Sequence, residues 1–422
     1  MKASNELFSV AIESIVPGGQ GLGVLPDGRK VFVWNALPGE TLQVRITKHK
    51  RTYAEGIAEE VVTTSPDRVP PKEDNYLATS PWQMMNFEAE NRYKNDIVKM
   101  LVLQEHLTIE VRDGVVHDNR QWHYRNKMEY SFWGDDAGLH LALHQRGSRG
   151  KHIVTGSQLA MPSLDTAANA LVAQLNEKGV RAGDLKTIIV RCSQDGRTTA
   201  ALFVKPQTFP QLSLPTELAG LRVYHSNPRS PASVPTKLLS EEGDSTLCDT
   251  ILDTSFTYDV DSFFQVNLPI YERALMRIKE ACQADPVDMY AGVGSIGLNV
   301  AKRQAQLIEL DAATARMARL NAQESNVEAE VIEASTEKAL EYIVAETPVI
   351  FDPPRAGLHA KVVERCLEVQ PPQIIYLSCN PATQMRDLAL LQGAYDIAPI
   401  EVFNFFPRTP HIETLAILTR KS

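Results

Sequence analysis

The alternation of strand-like and helix-like segments that begins near residue 268 is the feature that most constrains the fold of this chain. Five short runs have strand character, and they read V-D-M-Y, Q-L-I-E-L, A-E-V-I-E, T-P-V-I-F-D and Q-I-I-Y-L-S. Helical patterns separate or follow them at residues 296–304, 312–323, 335–345, 358–369 and 381–392. Alternating β and α units build a mostly parallel sheet with helices on both faces. The pattern therefore predicts an α/β, Rossmann-like doubly wound domain over residues 256–422, closed by a last pair of strands.

Two further regions precede this domain, as expected for 422 residues when a domain usually has about 100–200. Residues 1–62 hold short β-rich runs separated by glycine and proline turn signals, which predicts a small OB-like β-barrel. Residues 75–255 mix strands with one helix near 164–178 and are predicted to form an α+β central domain. The polar, proline-rich residues 63–82 are predicted to be a linker. The helical pattern at 85–107 is a candidate to dock on the last domain.

The charge balance excludes a protein that coats nucleic acid by bulk charge, because the net charge is −9. A local basic run is still present, with Arg45, Lys48, Lys50 and Arg51 near the end of the third β-rich run. Two interpretations remain open for it. It is either a solvated edge strand whose lysines oppose aggregation or a phosphate-binding face on the barrel.

The cysteines do not form a C-x-x-C pair, which argues against a disulfide scaffold and against a cysteine-based metal site. No apolar stretch has the length of about 18 residues that a membrane helix needs, and the N-terminus lacks an apolar signal segment. We therefore expect a cytoplasmic protein that does not enter a membrane, and we expect a monomer.

A glycine-rich loop follows the first strand of the alternating region, in D-M-Y-A-G-V-G-S-I-G-L. The spacing of Gly292, Gly294 and Gly297 is G-x-G-x-x-G, which lets backbone approach a nucleotide-like ligand. Glu309 ends the next strand, where an acid suits a ribose diol. Together these features indicate an adenosine-containing cofactor. The alternative is a tight strand–helix turn beside a surface acid.

Two more strands end in polar motifs, F-D-P-P-R-A-G-L and Y-L-S-C-N-P-A-T. The two prolines after Asp352 stop the strand and hold Asp352 and Arg355 at the carboxyl edge of the sheet, where ligands bind in this architecture. Cys379 stands at the same edge, just before a helix whose N-terminus is expected to lower the pKa of the thiol. For the other four cysteines we expect the role of small buried hydrophobes. The alternative for the Asp-Pro-Pro motif is a structural turn.

Two further motifs leave alternatives open. Glu413 lies between Ile412 and Leu415, so its carboxyl is either partly desolvated, with a raised pKa suited to a general base, or on the surface. Phe263 and Phe264, in S-F-F-Q-V-N, are either core residues beside a helix cap or a stacking platform. His140 and His144 show strand-like alternation and lack a third ligand, so no metal site is expected.

The ordered set S-F-F-Q-V-N, D-M-Y-A-G-V-G, F-D-P-P-R-A-G-L, Y-L-S-C-N-P-A-T and F-P-R-T-P-H-I-E-T resembles the RNA (uracil-5-)-methyltransferase family. The segment Y-R-N-K-M-E-Y-S is similar to the central domain of that family, and the N-terminal barrel resembles its RNA-binding TRAM domain. The resemblance implies that Cys379 is the nucleophile and Glu413 the general base. It implies S-adenosyl-L-methionine as cofactor, bound by the residues Gln265, Tyr290, Gly292, Gly294, Ser295, Glu309, Ser335 and Asp352.

Two departures from the family pattern bear on these expectations. Many members hold an iron–sulfur cluster, but residues 63–105 contain no cysteine, so no cluster is predicted. Ser335 stands where an acid commonly contacts adenine. The implied reaction is methylation of carbon 5 of a specific uridine in RNA, with 23S ribosomal RNA favoured over transfer RNA. Alternatives are the same reaction on transfer RNA, an amino-group nucleobase methyltransferase that needs no thiol, and a non-catalytic RNA-binding protein.

Overall fold

The computed structural model describes residues 6–148, 150–230 and 232–422, and its first strands close into a barrel. The strand order is β1-β2-β3-β5-β4, in which β3 and β5 are parallel. Alternate side chains of these strands point inward, among them Val31, Val33 and Val44, so that one face of every strand is buried. The five strands are Leu7–Ile15, Gly21–Val24, Lys30–Trp34, Thr41–His49 and Tyr53–Thr63.

The segment predicted as a linker is packed against the rest of the chain. It contains two 3-10 helices, Tyr76–Ala78 and Pro81–Met84. Trp82 is fully buried, and its indole Nε1 donates to the Gly19 carbonyl of the barrel at 3.1 Å. The apolar sequence W-Q-M-M, which begins at Trp82, packs into the core despite the polar, proline-rich residues before it. Residues 63–82 are therefore held against the barrel.

Helix α1, Phe87–Gln104, begins at Asn86, whose side chain accepts a hydrogen bond from the Ala89 N–H at 2.8 Å. Its apolar face, with Ile97, Val98 and Leu101, belongs to the same hydrophobic cluster as the C-terminal sheet. The helix thus packs on the sheet that carries the strand-end motifs.

A seven-stranded sheet forms the centre of the chain in the order β12-β11-β10-β9-β6-β7-β8, antiparallel except for the pair β10 and β11. Helix α2, Pro162–Glu177, covers one face, and Pro162 occupies the first helical turn, where its missing N–H costs nothing. The strands are Lys127–Asp135, Gly138–His144, Lys151–Ile153, Leu185–Cys192, Thr198–Val204, Gly220–His225 and Lys237–Gly243. A short 3-10 helix, Ala182–Asp184, precedes β9.

A hairpin of β13, Thr246–Ile251, and β14, Thr254–Asp259, leads into helix α3, Leu268–Ala281, and then into an eight-stranded sheet. The order in that sheet is β17-β16-β15-β18-β19-β22-β20, with β21 also paired to β22. Strands β15 to β19 are parallel, and β22 is antiparallel to β19. The strands are Val287–Asp288, Gln304–Glu309, Glu328–Glu333, Val349–Phe351, Gln373–Ser378, Tyr395–Ile397, Glu401–Phe403 and Glu413–Arg420.

The order reverses at β15, because β16 and β17 lie on one side of it and β18 and β19 on the other. This is the doubly wound α/β architecture that the alternation predicts, and a crevice forms at the carboxyl ends of the strands where the order reverses. The connecting helices are Gly297–Val300 (α4), Ala312–Glu324 (α5), Ala360–Val369 (α6) and Pro381–Leu391 (α7).

Two of the predicted helices are wrong in extent. The helix predicted at 296–304 is the single turn α4, because the Asp285 carboxylate accepts the N–H groups of Lys302 and Arg303 and draws the chain into β16. The helix predicted at 335–345 is two 3-10 turns, Thr336–Lys338 and Leu340–Tyr342. There the Thr336 hydroxyl donates to the Met289 carbonyl at 2.6 Å and fixes the chain to the neighbouring loop.

The barrel, the seven-stranded sheet and the eight-stranded sheet each have a hydrophobic cluster of their own. On that basis we propose a division into residues 1–62, 75–255 and 256–422, with α1 docked on the third part.

Candidate active site

A cavity of about 1700 Å³ opens at the carboxyl ends of β15, β16, β18 and β19. Most of the site residues predicted from the sequence line this one cavity, although they come from segments far apart in the chain. They are Gln265, Tyr290, Gly292, Glu309, Ser335, Asp352, Cys379 and Glu413.

Gly294 and Ser295 lie behind the cavity wall. The Ser295 hydroxyl is 2.7 Å from the Tyr271 hydroxyl in the core. Gly294 has a φ of +90°, and a Cβ built there would lie 3.0 Å from Leu298. These two residues shape the loop from its inner side, so the structure does not place them against a ligand in the cavity.

Two acids hold the glycine-rich loop in place. A carboxylate oxygen of Asp288 accepts the Gly297 N–H at 3.0 Å, and a Cβ at Gly297 would lie only 2.4 Å from Leu307. Glu309 accepts the Gly292 N–H at 2.9 Å. Gly292 has a φ of +56°, and a Cβ built on it would meet no atom within 4 Å, so its backbone faces open space.

Glu309 ends β16, and its carboxylate also accepts the Asp311 N–H at 2.7 Å. Burial raises its pKa, while the backbone donors oppose that shift. The adjoining Leu310 is 68% exposed and lines the cavity, which gives an apolar surface beside the acid. An acid for a ribose diol next to an apolar surface for a purine ring is what an adenosine group requires.

Asp352 follows β18 directly. Burial raises its pKa to about 7, and the negative charge of Asp288 acts in the same direction. Pro353 and Pro354 then turn the chain along the cavity wall. The carboxyl group is therefore poised between its two protonation states near neutral pH.

Cys379 follows β19 and stands one residue before Asn380, the N-cap of α7. Contrary to the prediction, its pKa is raised, to about 12, by burial and then by the charges of Glu413 and Asp352, and Arg355 opposes this only in part. Because the thiol lies outside the first helical turn, the helix dipole affects its pKa less than the two nearby carboxylates do. Cys379 is partly exposed in the cavity.

The other cysteines divide into two kinds. Cys192, Cys282 and Cys366 are buried, as expected, and burial raises the pKa of each thiol. Cys248 is exposed on the β13–β14 hairpin, which differs from the expectation, because alternate residues of this strand face outward.

Glu413 is the first residue of β22 and is only 3% exposed, which excludes the alternative of a surface glutamate. Burial raises its pKa well above the ordinary value, and the charge of Asp352 adds to this while Arg355 opposes it. Its Oε2 atom is buried without a hydrogen-bond partner in the part of the chain that the structure describes. A buried carboxylate oxygen of this kind is able to accept a proton from a ligand.

The loop that leads to Glu413 is fixed from behind by helix α1. The Lys94 ammonium, which is fully buried, donates to the Asn404 side chain at 2.6 Å and to the Phe406 carbonyl at 3.1 Å. The Glu90 carboxylate is 3.0 Å from Lys94 and accepts the Arg408 N–H at 3.0 Å. Arg408 has a φ of +66°, so these contacts hold a backbone conformation that an arginine rarely adopts.

The two phenylalanines of S-F-F-Q-V-N have different roles. Phe264 is buried and stacks on Tyr258 with ring centroids 4.1 Å apart. Phe263 is 64% exposed and lines the cavity. One aromatic ring is therefore core, and the other is free to stack on a ligand.

Sequence reasoning missed two residues of the cavity, Arg125 and His411. His411 lies 3.4 Å from an Arg355 nitrogen, and its pKa is lowered to about 3 by burial and by nearby cations, so it is neutral. Its place in P-H-I-E, two residues before Glu413, was the available signal. Arg125 lies in Y-R-N-K, a segment that was noted but not assigned to the site.

Within residues 6–148, 150–230 and 232–422, the structure shows no group of three or more His, Cys, Asp or Glu side chains that could hold a metal ion. None of the helices in those same ranges is long and apolar enough to cross a membrane. The absence of an iron–sulfur cluster stays a prediction from the sequence.

A doubly wound sheet with this glycine loop, this acid and this strand-end cavity is typical of enzymes that bind an adenosine-containing cofactor. Residues 246–421 match the model of the tRNA (uracil-5-)-methyltransferase family, and residues 5–58 match the TRAM domain. An uncharacterized RNA methyltransferase of Enterococcus faecalis is 30% identical over 447 residues, covering 99% of this chain and 98% of that protein. The chain belongs to the RNA (uracil-5-)-methyltransferase family, and its cofactor is S-adenosyl-L-methionine.

Two further comparisons agree with this assignment. An uncharacterized RNA methyltransferase of Thermosynechococcus vestitus is 29% identical over 448 residues, which cover 98% of each chain. The crystal structure of the Pyrococcus abyssi tRNA (uracil-54, C5)-methyltransferase, in complex with S-adenosyl-L-homocysteine, has the same fold. It superposes with a TM-score of 0.79 at 23% identity over 97% of this chain and 100% of that one.

The residues present fit the cofactor. The open backbone at Gly292 leaves room for a ligand where a side chain would fill it, and Glu309 offers carboxylate oxygens at the end of β16. Leu310 adds exposed apolar surface beside this acid, and Ser335 lines the same cavity.

Proposed function

We propose that this enzyme methylates carbon 5 of a specific uridine in 23S ribosomal RNA, with Cys379 as the nucleophile and Glu413 as the general base. One observation carries the proposal. A thiol and a fully buried carboxylate with an unpartnered oxygen face the cavity that the cofactor residues also line.

The chemistry of uracil explains why a thiol is needed. Carbon 5 is a poor nucleophile until the Cys379 sulfur adds to carbon 6, which converts the ring into an enolate. Because the pKa of Cys379 is about 12, the thiol has to lose its proton as the carbon–sulfur bond forms. Asp352, with a pKa of about 7, is the acceptor that we infer.

S-adenosyl-L-methionine supplies an electrophilic methyl group when it is bound, and carbon 5 of the enolate takes that group. Carbon 5 then carries both a methyl group and a hydrogen. Glu413 removes this hydrogen as a proton, the electron pair reforms the 5,6 double bond, and the carbon–sulfur bond breaks to release Cys379. The burial of Glu413 suits this step because it raises the basicity of the carboxylate.

A uridine inside a folded RNA must leave its stack before the Cys379 sulfur is able to reach carbon 6. The exposed ring of Phe263 on the cavity wall is able to stack on the extruded base. We favour ribosomal RNA because of the N-terminal TRAM domain, although the similar enzyme of Pyrococcus abyssi is named for transfer RNA.

The covalent step is tested with an RNA that carries 5-fluorouracil at the target. Fluorine blocks the final proton loss, so the wild type is expected to form a complex that survives a denaturing gel. Cys379→Ala and Cys379→Ser should bind S-adenosyl-L-methionine and form no complex, while Cys248→Ala, which removes an exposed cysteine, should behave as wild type. Full methylation by Cys379→Ala would instead favour an amino-group nucleobase methyltransferase.

The RNA target is tested by mass mapping of 5-methyluridine in ribosomal and transfer RNA from cells with and without the enzyme. We expect one site in 23S RNA to lose its methyl group. A loss confined to transfer RNA would contradict the choice of ribosomal RNA and leave the chemistry unchanged.

A further inference from the structure

Three arginines, two of which line the cavity, form no ion pair in the part of the chain that the structure describes. Arg125 and Arg355 line the cavity, and the charge of Arg146 reaches His411 on its wall. In the described ranges of the chain, no carboxylate lies within ion-pair distance of any of the three guanidinium groups. This is unexpected, because acidic residues outnumber basic ones and the net charge is −9. Most charged groups in the core behave differently, as the pairs of Lys94 with Glu90 and Arg222 with Asp259 show.

The groups that contact each guanidinium directly are neutral. Arg125 lies over the Phe406 ring at 5.8 Å, and its Nε is buried with no hydrogen-bond partner in the described chain. Arg355 lies 3.4 Å from His411, and its carbonyl accepts the Asn380 side chain at 2.8 Å.

Arg146 joins the barrel to this edge of the cavity. It stacks on the Trp34 ring at 3.9 Å, and its Nε donates to the Leu77 carbonyl at 2.7 Å. Trp34 belongs to the barrel, Leu77 to the packed segment after it, and Arg146 to the loop after β7. Arg146 therefore contacts both the barrel and the segment that follows it.

Positive charge that is partly buried and unpaired is costly unless an anion completes it. Burial, and then the charges of Arg355, Arg125 and other nearby cations, lower the pKa of His411, so the imidazole adds no charge to this group. A guanidinium presents paired N–H donors that match the oxygens of a phosphate. An enzyme that acts on an extruded base also has to fix the backbone on either side of it.

We propose that Arg125, Arg146 and Arg355 form a phosphate-binding cluster that takes the RNA backbone phosphates next to the target uridine. The proposal rests on the proposed function, since it requires RNA as the substrate. It predicts that the barrel and the catalytic cavity grip one continuous stretch of RNA, with Arg146 on Trp34 as the point of contact between them.

The test separates binding from chemistry by using the Cys379→Ala protein as the background. RNA affinity is measured over a range of salt concentrations for this protein and for added Arg125→Gln, Arg146→Gln and Arg355→Gln changes. Each lost phosphate contact should lower the slope of log K against log salt by about 0.7, the value for single strands. At low salt each change should weaken binding by roughly tenfold or more, as expected for a charged hydrogen bond.

A second arm replaces individual phosphates near the target uridine with uncharged methylphosphonates. One such replacement should weaken binding to the parent protein and have little further effect on the matching arginine variant. Arg181→Gln is the matched control, because Arg181 is an exposed arginine that is paired with Asp184 and does not line the cavity. It should leave both the slope and the methylphosphonate effect unchanged, and thermal unfolding should show that all variants are folded.

Two results would overturn the cluster. An unchanged salt slope with weaker binding would mean that the arginines read the base instead of phosphate. A weaker affinity for S-adenosyl-L-methionine with unchanged RNA binding would mean that they hold the carboxylate of the cofactor. The proposed function fails separately, because loss of fluorouracil trapping in the wild type leaves the salt slopes interpretable.

Discussion

Two buried clusters of charge lie on opposite sides of the loop from Asn404 to Glu413, and they are built in opposite ways. Behind the loop, Glu90, Lys94 and Arg408 are of mixed sign and contact one another. In front of it, Asp288, Asp352 and Glu413 are all acids, and each acts to raise the pKa of a neighbour. The hydrogen bonds of Asp288 go to backbone, and one oxygen of Glu413 has no partner in the described chain.

The difference separates structural charge from chemical charge. A paired cluster resists change, since removing one member leaves the other buried alone. An unpaired acid cluster exchanges protons at accessible pH, because burial shifts its pKa values toward neutrality. The first cluster fixes the loop that leads to Glu413, a member of the second cluster.

The largest effect should come from removing the basic group of the acid cluster. Glu413→Gln keeps the shape of the side chain and should reduce turnover by about 10²–10⁴-fold, the usual contribution of a general base. Attack by Cys379 and methylation should persist, so a covalent methylated RNA–protein adduct should accumulate on ordinary uracil RNA. A denaturing gel with a labelled methyl group detects it.

The control for this adduct is the double variant Glu413→Gln with Cys379→Ala, which should show none. An adduct in the double variant would place the link elsewhere. Wild-type turnover by Glu413→Gln would transfer the role of base to another group, with Asp352 as the first candidate.

Breaking the paired cluster should act on stability. Lys94→Met leaves Glu90 buried with only the more distant Arg408 guanidinium, at 3.7 Å, and should lower the free energy of unfolding by up to about 3–5 kcal/mol. The double variant Glu90→Gln with Lys94→Met should recover part of this loss, as denaturant titration would show. Lys99→Met removes an exposed pair with Asp113 on the same helix and should change little. Equal effects at positions 94 and 99 would erase the distinction between the clusters.

The acid cluster should also give the fold a characteristic dependence on pH. Folding raises the pKa of Asp352 from 3.8 to about 7, so between these values the folded chain keeps a proton that the unfolded chain has released. Its contribution to stability is therefore greatest below about pH 4 and is lost as the pH rises toward 7. Between pH 4 and pH 7 the free energy of unfolding of the wild type should therefore fall faster than that of Asp352→Asn. The difference in slope should be up to about 1.4 kcal/mol per pH unit. Parallel curves for the two proteins from pH 4 to pH 7 would contradict the shift.

The smallest expected effect is that of metal removal. The acids of the cavity are close enough to affect one another, yet we expect them to work by proton transfer, and we expect no iron–sulfur cluster. A chelator should leave methylation unchanged within error, and elemental analysis should find no stoichiometric iron or zinc. A brown protein, or activity that needs added metal, would show that the acid cluster or the cysteines have a different role.

The sequence predicted the parts of this site that are local. Glu309 ends a strand, Asp352 and Cys379 each follow one, and parallel strands bring their carboxyl ends to one edge. The pKa of Cys379 was predicted in the wrong direction, because burial and the charges of Glu413 and Asp352, which come from other strands, outweigh its own helix. The contact of Arg146 with the Trp34 ring of the barrel likewise joins residues far apart in the chain, which no local pattern encodes.

The same limit explains the errors in the fold. The alternation of apolar residues located the strands of the sheet, but residues 335–345 did not form a helix, because a hydroxyl of Thr336 is bound to a distant carbonyl. The prolines of residues 63–82 predicted a linker, but the Trp82 indole donates a hydrogen bond to the Gly19 carbonyl of the barrel and fixes the segment. Long-range contacts of single side chains decided both cases.

The contacts of Glu90 and Lys94 with the loop from Asn404 to Glu413 have a consequence for the synthesis of the enzyme. Lys94 and Asn404 are 310 residues apart in the chain, so at about 5–20 residues per second roughly 15–60 seconds separate their synthesis. During that time Lys94 of helix α1 lacks its partner Asn404, and β19, the strand before Cys379, lacks its neighbour β22. The last strand lies between β19 and β20, so the same strand completes the sheet and brings Glu413 to the cavity. In the mechanism that we propose, a chain without β22 would have the nucleophile and lack the base that releases it.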